Sequence, residues 1–126
     1  MVGHTGNFDA TVKAIEILDE CLGVIKERVL ELGGVIVLTG DHGNAEEKRY
    51  RITGEPRTKH SSNPVPFYLI GKQLERKVPR TEQEVKEALS QVEGVLSDVA
   101  PTVLDLMGLE IPAEMTGINL LPRLLL

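Results

Sequence analysis

The sequence predicts an α/β chain that carries part of a mostly parallel sheet, and three observations predict it. A helical apolar stripe runs from about Asp9 to Leu32 and stops at Gly33-Gly34. A short, wholly apolar run follows, Val35-Ile36-Val37-Leu38. That run opens into a polar loop, Thr39-Gly40-Asp41-His42-Gly43-Asn44-Ala45-Glu46. Helix, glycine pair, buried strand and polar loop are together half of a parallel βαβ unit, whose strands are covered by helices on both faces. A strand ending in Asp-His puts metal-binding or acid–base groups at the carboxyl edge of such a sheet. Adjacent strand residues point to opposite faces, and Gly43 supplies the turn that lets both converge.

In the first segment Val12, Ile15, Leu22, Ile25, Val29 and Leu32 recur at helical spacing, with Leu18 or Asp19 between them. Asn7 or Asp9 caps its start, and Gly23 marks a place for a bend. Cys21 reads as a packing residue rather than a catalytic one. Residues 46–60 are polar and turn-rich around Gly54-Glu55-Pro56, a site loop or a small hairpin. Pro64 to Gly71 reads as a second strand, with prolines confined to its start. Thr81 caps a surface helix over Glu82 to Leu89, and Ser97 caps another over Asp98 to Met107 that Gly108 ends. Pro101 is tolerated there where the regular helix begins or is distorted. A loop spans 111–117, and the apolar tail from Leu120 needs a partner surface or stays disordered. Two strands make a poor independent sheet with open edges, so either the chain self-associates or it is the back half of a larger α/β domain.

Composition narrows the function classes. The chain has 126 residues, with 14 basic and 19 acidic side chains spread without blocks, for a net charge of −5. That balance argues against nucleic acid as a partner. The single cysteine excludes an intrachain disulfide framework. No apolar run approaches the roughly 20 residues a membrane span needs, and no basic-then-apolar leader opens the sequence. A soluble, cytoplasmic protein without membrane contact is the expectation. The abrupt opening on Met1-Val2-Gly3-His4-Thr5-Gly6, a site-like loop with no strand before it, suggests a fragment.

The chemistry rests on three histidines, His4, His42 and His60, each in a polar loop rich in glycine or proline and none on an apolar helical face. With Asp41 they form a donor set suited to a divalent cation such as zinc or manganese. Their wide spacing suits a site assembled from several loops rather than a zinc finger. Asn44 closes a turn or serves the site, and Glu46 is solvated or orients a histidine. Ser61 and Ser62 lack the glycine-rich elbow of a nucleophilic serine.

Six segments, in order, carry a resemblance: Met1–Phe8, Asp19–Gly23, Thr39–Glu46, His60–Phe67, Leu96–Leu109 and Pro112–Gly117. Together they resemble the end of the cofactor-independent phosphoglycerate mutases, of the alkaline phosphatase-like superfamily. The family usually has alanine at the position of Gly40, and Arg57-Thr58-Lys59 also departs from its pattern. The resemblance implies a partial doubly wound, mostly parallel sheet of the alkaline phosphatase-like type, with residues 1–126 as the C-terminal portion of the metal-binding domain. It implies two Mn2+ ions, one held by His4 and His60, the other by Asp41 and His42. It also implies interconversion of 3-phosphoglycerate and 2-phosphoglycerate through a phosphoserine, in glycolysis and gluconeogenesis. A further ligand aspartate, the nucleophilic serine and the substrate-binding insert domain would lie before Met1, so the isolated chain is expected to be inactive unless that half is supplied. The alternatives are another phosphatase or phosphomutase of the superfamily, such as a phosphopentomutase, and a non-catalytic metal-binding or interaction domain.

Overall fold

The structure is a computed structural model and describes residues 2–125. The chain divides into two compact units, 1–73 and 74–126.

The first unit opens with a tight turn at Val2–His4 and a 24-residue helix, α1, at Phe8–Glu31. Asn7 caps α1 by accepting the Ala10 N–H at 2.9 Å. Its end is a Schellman motif: Gly33, at φ +73°, donates to Leu30 O, and Gly34 donates to Val29 O at 2.9 Å. Only a residue without a side chain adopts that φ at no cost, so the glycine pair stops the helix where the sequence predicts, and Gly23 does not divide it. The apolar stripe finds no deep core. Phe8, Ile15, Leu18, Val24 and Ile25 stay exposed, and Cys21, expected to pack, is exposed as well.

Strand β1 is Ile36–Thr39 and β2 is Phe67–Ile70. They pair antiparallel, with Ile36 opposite Ile70 and Thr39 opposite Phe67, and form a two-stranded sheet. This corrects the expected doubly wound, mostly parallel sheet of the alkaline phosphatase-like type. A parallel pair needs a crossover of about a dozen or more residues that returns the chain to its starting end. Here residues 40–66 carry no helix and double back on themselves instead. Gly43 bridges Ser61, Arg49 bridges Pro56, Tyr50 N–H donates to Glu55 O, and Gly54 takes φ +71° at the tip. From Ile36 to Ile70 the chain is one long, interrupted hairpin, so β2 must run against β1. β1 is only half-buried, not enclosed on both faces.

In the second unit, α2 at Glu82–Ser90 begins with a capping box, in which Thr81 and Glu84 satisfy each other's backbone N–H groups. A tight turn at Leu96–Asp98 leads into α3 at Val99–Leu106, and α4 spans Leu121–Leu124. Asp98, rather than the expected Ser97, organises this start. Its buried carboxylate accepts the N–H of Val95 at 2.9 Å and of Ile118 at 2.8 Å, and those two bonds hold its pKa below the usual value. Pro101 falls in the first turn of α3, where its missing N–H has no helical partner to lose. Thr102, fully buried, donates to Asp98 O at 2.6 Å and accepts the Leu120 N–H at 2.9 Å. That bond draws in the apolar tail, burying Leu120 and Leu121. Gly117 passes so close that an added Cβ would lie 2.0 Å from Ser97 O. No helix among the described residues is long and apolar enough to cross a membrane.

Thr102→Val keeps shape but strands the Leu120 N–H. The unfolding free energy of the second unit falls by about 1–3 kcal/mol, measured by denaturant titration, and amide exchange at Leu120 and Leu121 accelerates.

Candidate metal centre

The fold-back of residues 40–66 carries His42 out on one limb and brings His60 back on the other. Ser61 N–H donates to Gly43 O at 2.8 Å in an antiparallel bridge, which leaves His42 and His60 as diagonal neighbours on one face of it. The His42 and His60 rings stack with centroids 3.5 Å apart and planes 15° from parallel. His4 comes from the turn before α1 and lies 5.1 Å from the His60 ring, tilted by 45°. An open depression of about 400 Å³ is lined by His4, Thr58, Lys59 and His60. The three histidines that the sequence spreads over three loops therefore meet.

Their ring nitrogens are not equivalent. His4 Nδ1 lies 2.8 Å from the Thr58 carbonyl and His42 Nδ1 lies 3.2 Å from the Gly43 carbonyl. A carbonyl only accepts, so in both rings Nδ1 carries the hydrogen and a neutral imidazole keeps its lone pair on Nε2. An imidazole N–H anchored on a backbone carbonyl is the usual support of a metal-binding histidine. Asp41, largely exposed, has a carboxylate oxygen 3.6 Å from His42 Nε2. Among the described residues, no three His, Cys, Asp or Glu side chains are gathered so as to hold one ion. An ion here would take at most a pair of such side chains from the described residues.

A second layer holds the loops. Ionised Glu46 accepts the Ser61 hydroxyl, the Asn44 N–H at 2.7 Å and the Asn63 amide at 3.0 Å. Burial pushes its pKa up, but the Ser61 hydroxyl and then the backbone and Asn63 donors outweigh that and lower it from 4.5 to about 2. Glu46 thus ties the two limbs together rather than orienting a histidine. Gly43 leaves room for this: a Cβ there would lie 2.1 Å from Ser61 Oγ and 2.5 Å from Glu46 Oε1. Arg57 pairs with Glu47 at 2.5 Å, donates to His60 O at 3.2 Å and lies over the Tyr50 ring. The departures at Arg57 and Thr58 thus occupy loop contacts around His60 and His4. A Cβ at Gly40 would lie 3.3 Å from a Val65 methyl, so an alanine there needs Val65 to give by a few tenths of an ångström. Sequence reasoning missed Lys48 altogether. It sits in a charged run, and only the folded chain shows its ammonium buried against Gly3 O and Asn44 Oδ1.

The chain matches the metalloenzyme superfamily over residues 1–111. The chain belongs to that superfamily. Within it, the chain is homologous to phosphoglycerate mutases. It is 51% identical over 121 residues to the 2,3-bisphosphoglycerate-independent phosphoglycerate mutase of Pseudomonas entomophila (strain L48), covering 96% of this chain and 21% of that protein. It is 48% identical over 120 residues to the enzyme of the same name from Clostridium novyi (strain NT), again 21% of the relative. A crystal structure of Leishmania mexicana phosphoglycerate mutase at low cobalt concentration superposes with a TM-score of 0.68 at 30% identity, covering 93% of this chain and 22% of that one. The chain of this metalloenzyme-superfamily member spans about a fifth of the length of the curated relatives it matches.

The Glu46 carboxylate is ionised below its ordinary 4.5, so its contribution to stability is complete above about pH 5 and drains away as pH falls through about 2. In Ser61→Ala, a carbon-13 NMR titration of Glu46 finds its midpoint moved up toward 4.5, and acid unfolding of the first unit begins at higher pH.

Proposed function

We propose that this chain is the C-terminal portion of a 2,3-bisphosphoglycerate-independent phosphoglycerate mutase and supplies part of a two-ion metal centre. His4 and His60 serve one divalent ion, Asp41 and His42 the other, and manganese is the ion. The observation that carries this reading is the meeting of three imidazoles, two of them with Nδ1 spent on backbone carbonyls and Nε2 left open. An imidazole binds a metal in its own plane. The stacked His42 and His60 rings, with planes 15° from parallel, would therefore serve separate ions rather than share one. The tilted His4 ring is free to share a point with His60. Two donors per ion leave the remaining positions to other parts of the enzyme, in keeping with a chain that spans about a fifth of its relatives.

The activity of the complete enzyme is interconversion of 3-phosphoglycerate and 2-phosphoglycerate through a phosphoserine, in cytoplasmic glycolysis and gluconeogenesis. Bound divalent ions supply charge neutralisation at the phosphoryl oxygens and an acidified serine hydroxyl. The chain's own work is orientation: Thr58 O and Gly43 O fix two ring planes, and the Glu46–Ser61 tie holds the limbs that carry His42 and His60. Ser61 is not the nucleophile, because its proton is directed to a carboxylate too weakly basic to take it. The nucleophilic serine belongs to a part of the enzyme outside these residues, and the same part covers the exposed face of α1.

The test is a chimera in which this chain replaces the matching 121 residues of the Pseudomonas entomophila enzyme, assayed with Mn2+ by coupling to enolase. The isolated chain shows no turnover and the chimera does. His42→Ala lowers kcat/KM by at least about 100-fold, the upper end of what losing even an orienting partner costs. A folded chimera that binds phosphoglycerate without turnover, or a His42→Ala chimera with full activity, overturns the reading.

A further inference from the structure

Among the described residues Lys48 is the one buried basic side chain, 4% exposed, and no carboxylate lies within ion-pair range of it. A cation withdrawn from water into a neutral cradle costs stability that an apolar side chain of the same length would not. What the ammonium touches explains its use. It donates to Gly3 O at 2.8 Å and to Asn44 Oδ1. The Asn44 amide, so oriented, donates to the same Gly3 O at 3.2 Å and to Lys59 O at 3.4 Å. Gly3 directly precedes His4, Lys59 directly precedes His60, and Asn44 follows His42 by two residues. One clasp thus holds the backbone beside all three histidines.

Resting on the reading of these histidines as a metal centre, we infer that Lys48 is a positioning residue that sets His4 against the stacked His42–His60 pair. His42 and His60 are already brought together by the backbone bridge between Gly43 and Ser61. His4 has no such pairing. It reaches them through its own bond to Thr58 O and through the clasp, which crosses more than forty residues of sequence. Gly3 is part of the device, since a Cβ there would stand 2.7 Å from Asn44 Oδ1 and push the Asn44 amide out of the clasp. The sequence carries this as a Gly-His, an Asn two residues after a His, and a Lys four residues after that Asn.

The experiment compares the wild-type chain with Lys48→Met by two readouts. The first is proton NMR of the metal-free chain, following cross-peaks between the His4 and His60 rings and between the His42 and His60 rings. The second is Co2+ titration, following affinity and the visible spectrum at saturation. Lys48→Met is expected to lose the His4–His60 cross-peaks, to keep those between His42 and His60, and to bind Co2+ about 10–100-fold more weakly with an altered spectrum. Unchanged cross-peaks with unchanged Co2+ affinity overturn the inference, even if the variant melts earlier, because a merely stabilising lysine moves only the melting temperature. If the wild-type chain, with two donors per ion, takes up no Co2+, the cross-peaks decide the role of Lys48: their loss supports it and their persistence overturns it, while the metal-centre reading stands or falls on the chimera. Should Lys48→Met fail to fold, Asn44→Ala severs the same clasp from its other end and is read by the same two criteria.

Discussion

The bridge between Gly43 and Ser61 is the contact on which the first unit depends. It closes residues 40–66 back on themselves, which makes β2 antiparallel to β1 and brings His42 against His60 in the same stroke. The approach is possible because position 43 has no Cβ, and it is secured by a carboxylate, Glu46, shared between the Ser61 hydroxyl and the Asn63 amide. A neutral donor on an ionised acceptor is roughly twice as strong as a bond between neutral groups. The tie therefore survives at the edge of a half-exposed loop where a neutral bond would compete poorly with water.

The second unit uses the same strategy with different residues. Asp98 accepts two backbone N–H groups from segments on either side of α3, and Thr102 relays from Asp98 O to Leu120 N–H. A leucine-rich tail with few packing partners is thus docked by polar bonds first, and Leu120 and Leu121 are buried as a consequence. Both units rely on charge-assisted bonds to backbone because neither owns a large apolar core. Phe8, Ile15, Leu18, Val24 and Ile25 of α1 accordingly remain exposed.

The site follows from that architecture. A metal centre built on loops is held to tolerance only if each loop is tied near its functional side chain. Here the ties land on Thr58 O, Gly43 O, Gly3 O and Lys59 O, each at or next to a histidine or its ring contact. The resulting arrangement spends Nδ1 of His4 and of His42 on backbone carbonyls, with the Asp41 carboxylate 3.6 Å from His42 Nε2.

Local features of this chain were decided by the sequence itself. The extent of α1, its glycine stop, the Thr81 cap of α2, the Gly108 end of α3 and the apolar character of β1 and β2 all follow from single-residue preferences that act over a turn or two of chain. The three histidines were legible as candidates because each stands in a polar loop, and the structure brings their rings together. Tertiary structure alone decided the direction of β2, since an apolar run reads the same whichever way its neighbour points, and only the fold-back of 40–66 chooses. It likewise decided that Asp98 rather than Ser97 organises α3, because one of its partners, Ile118, lies twenty residues away. Lys48 is the sharpest instance. In the sequence it is one basic residue in a charged run, and its burial against Gly3 and Asn44 comes from a contact across forty-five positions that no local pattern records.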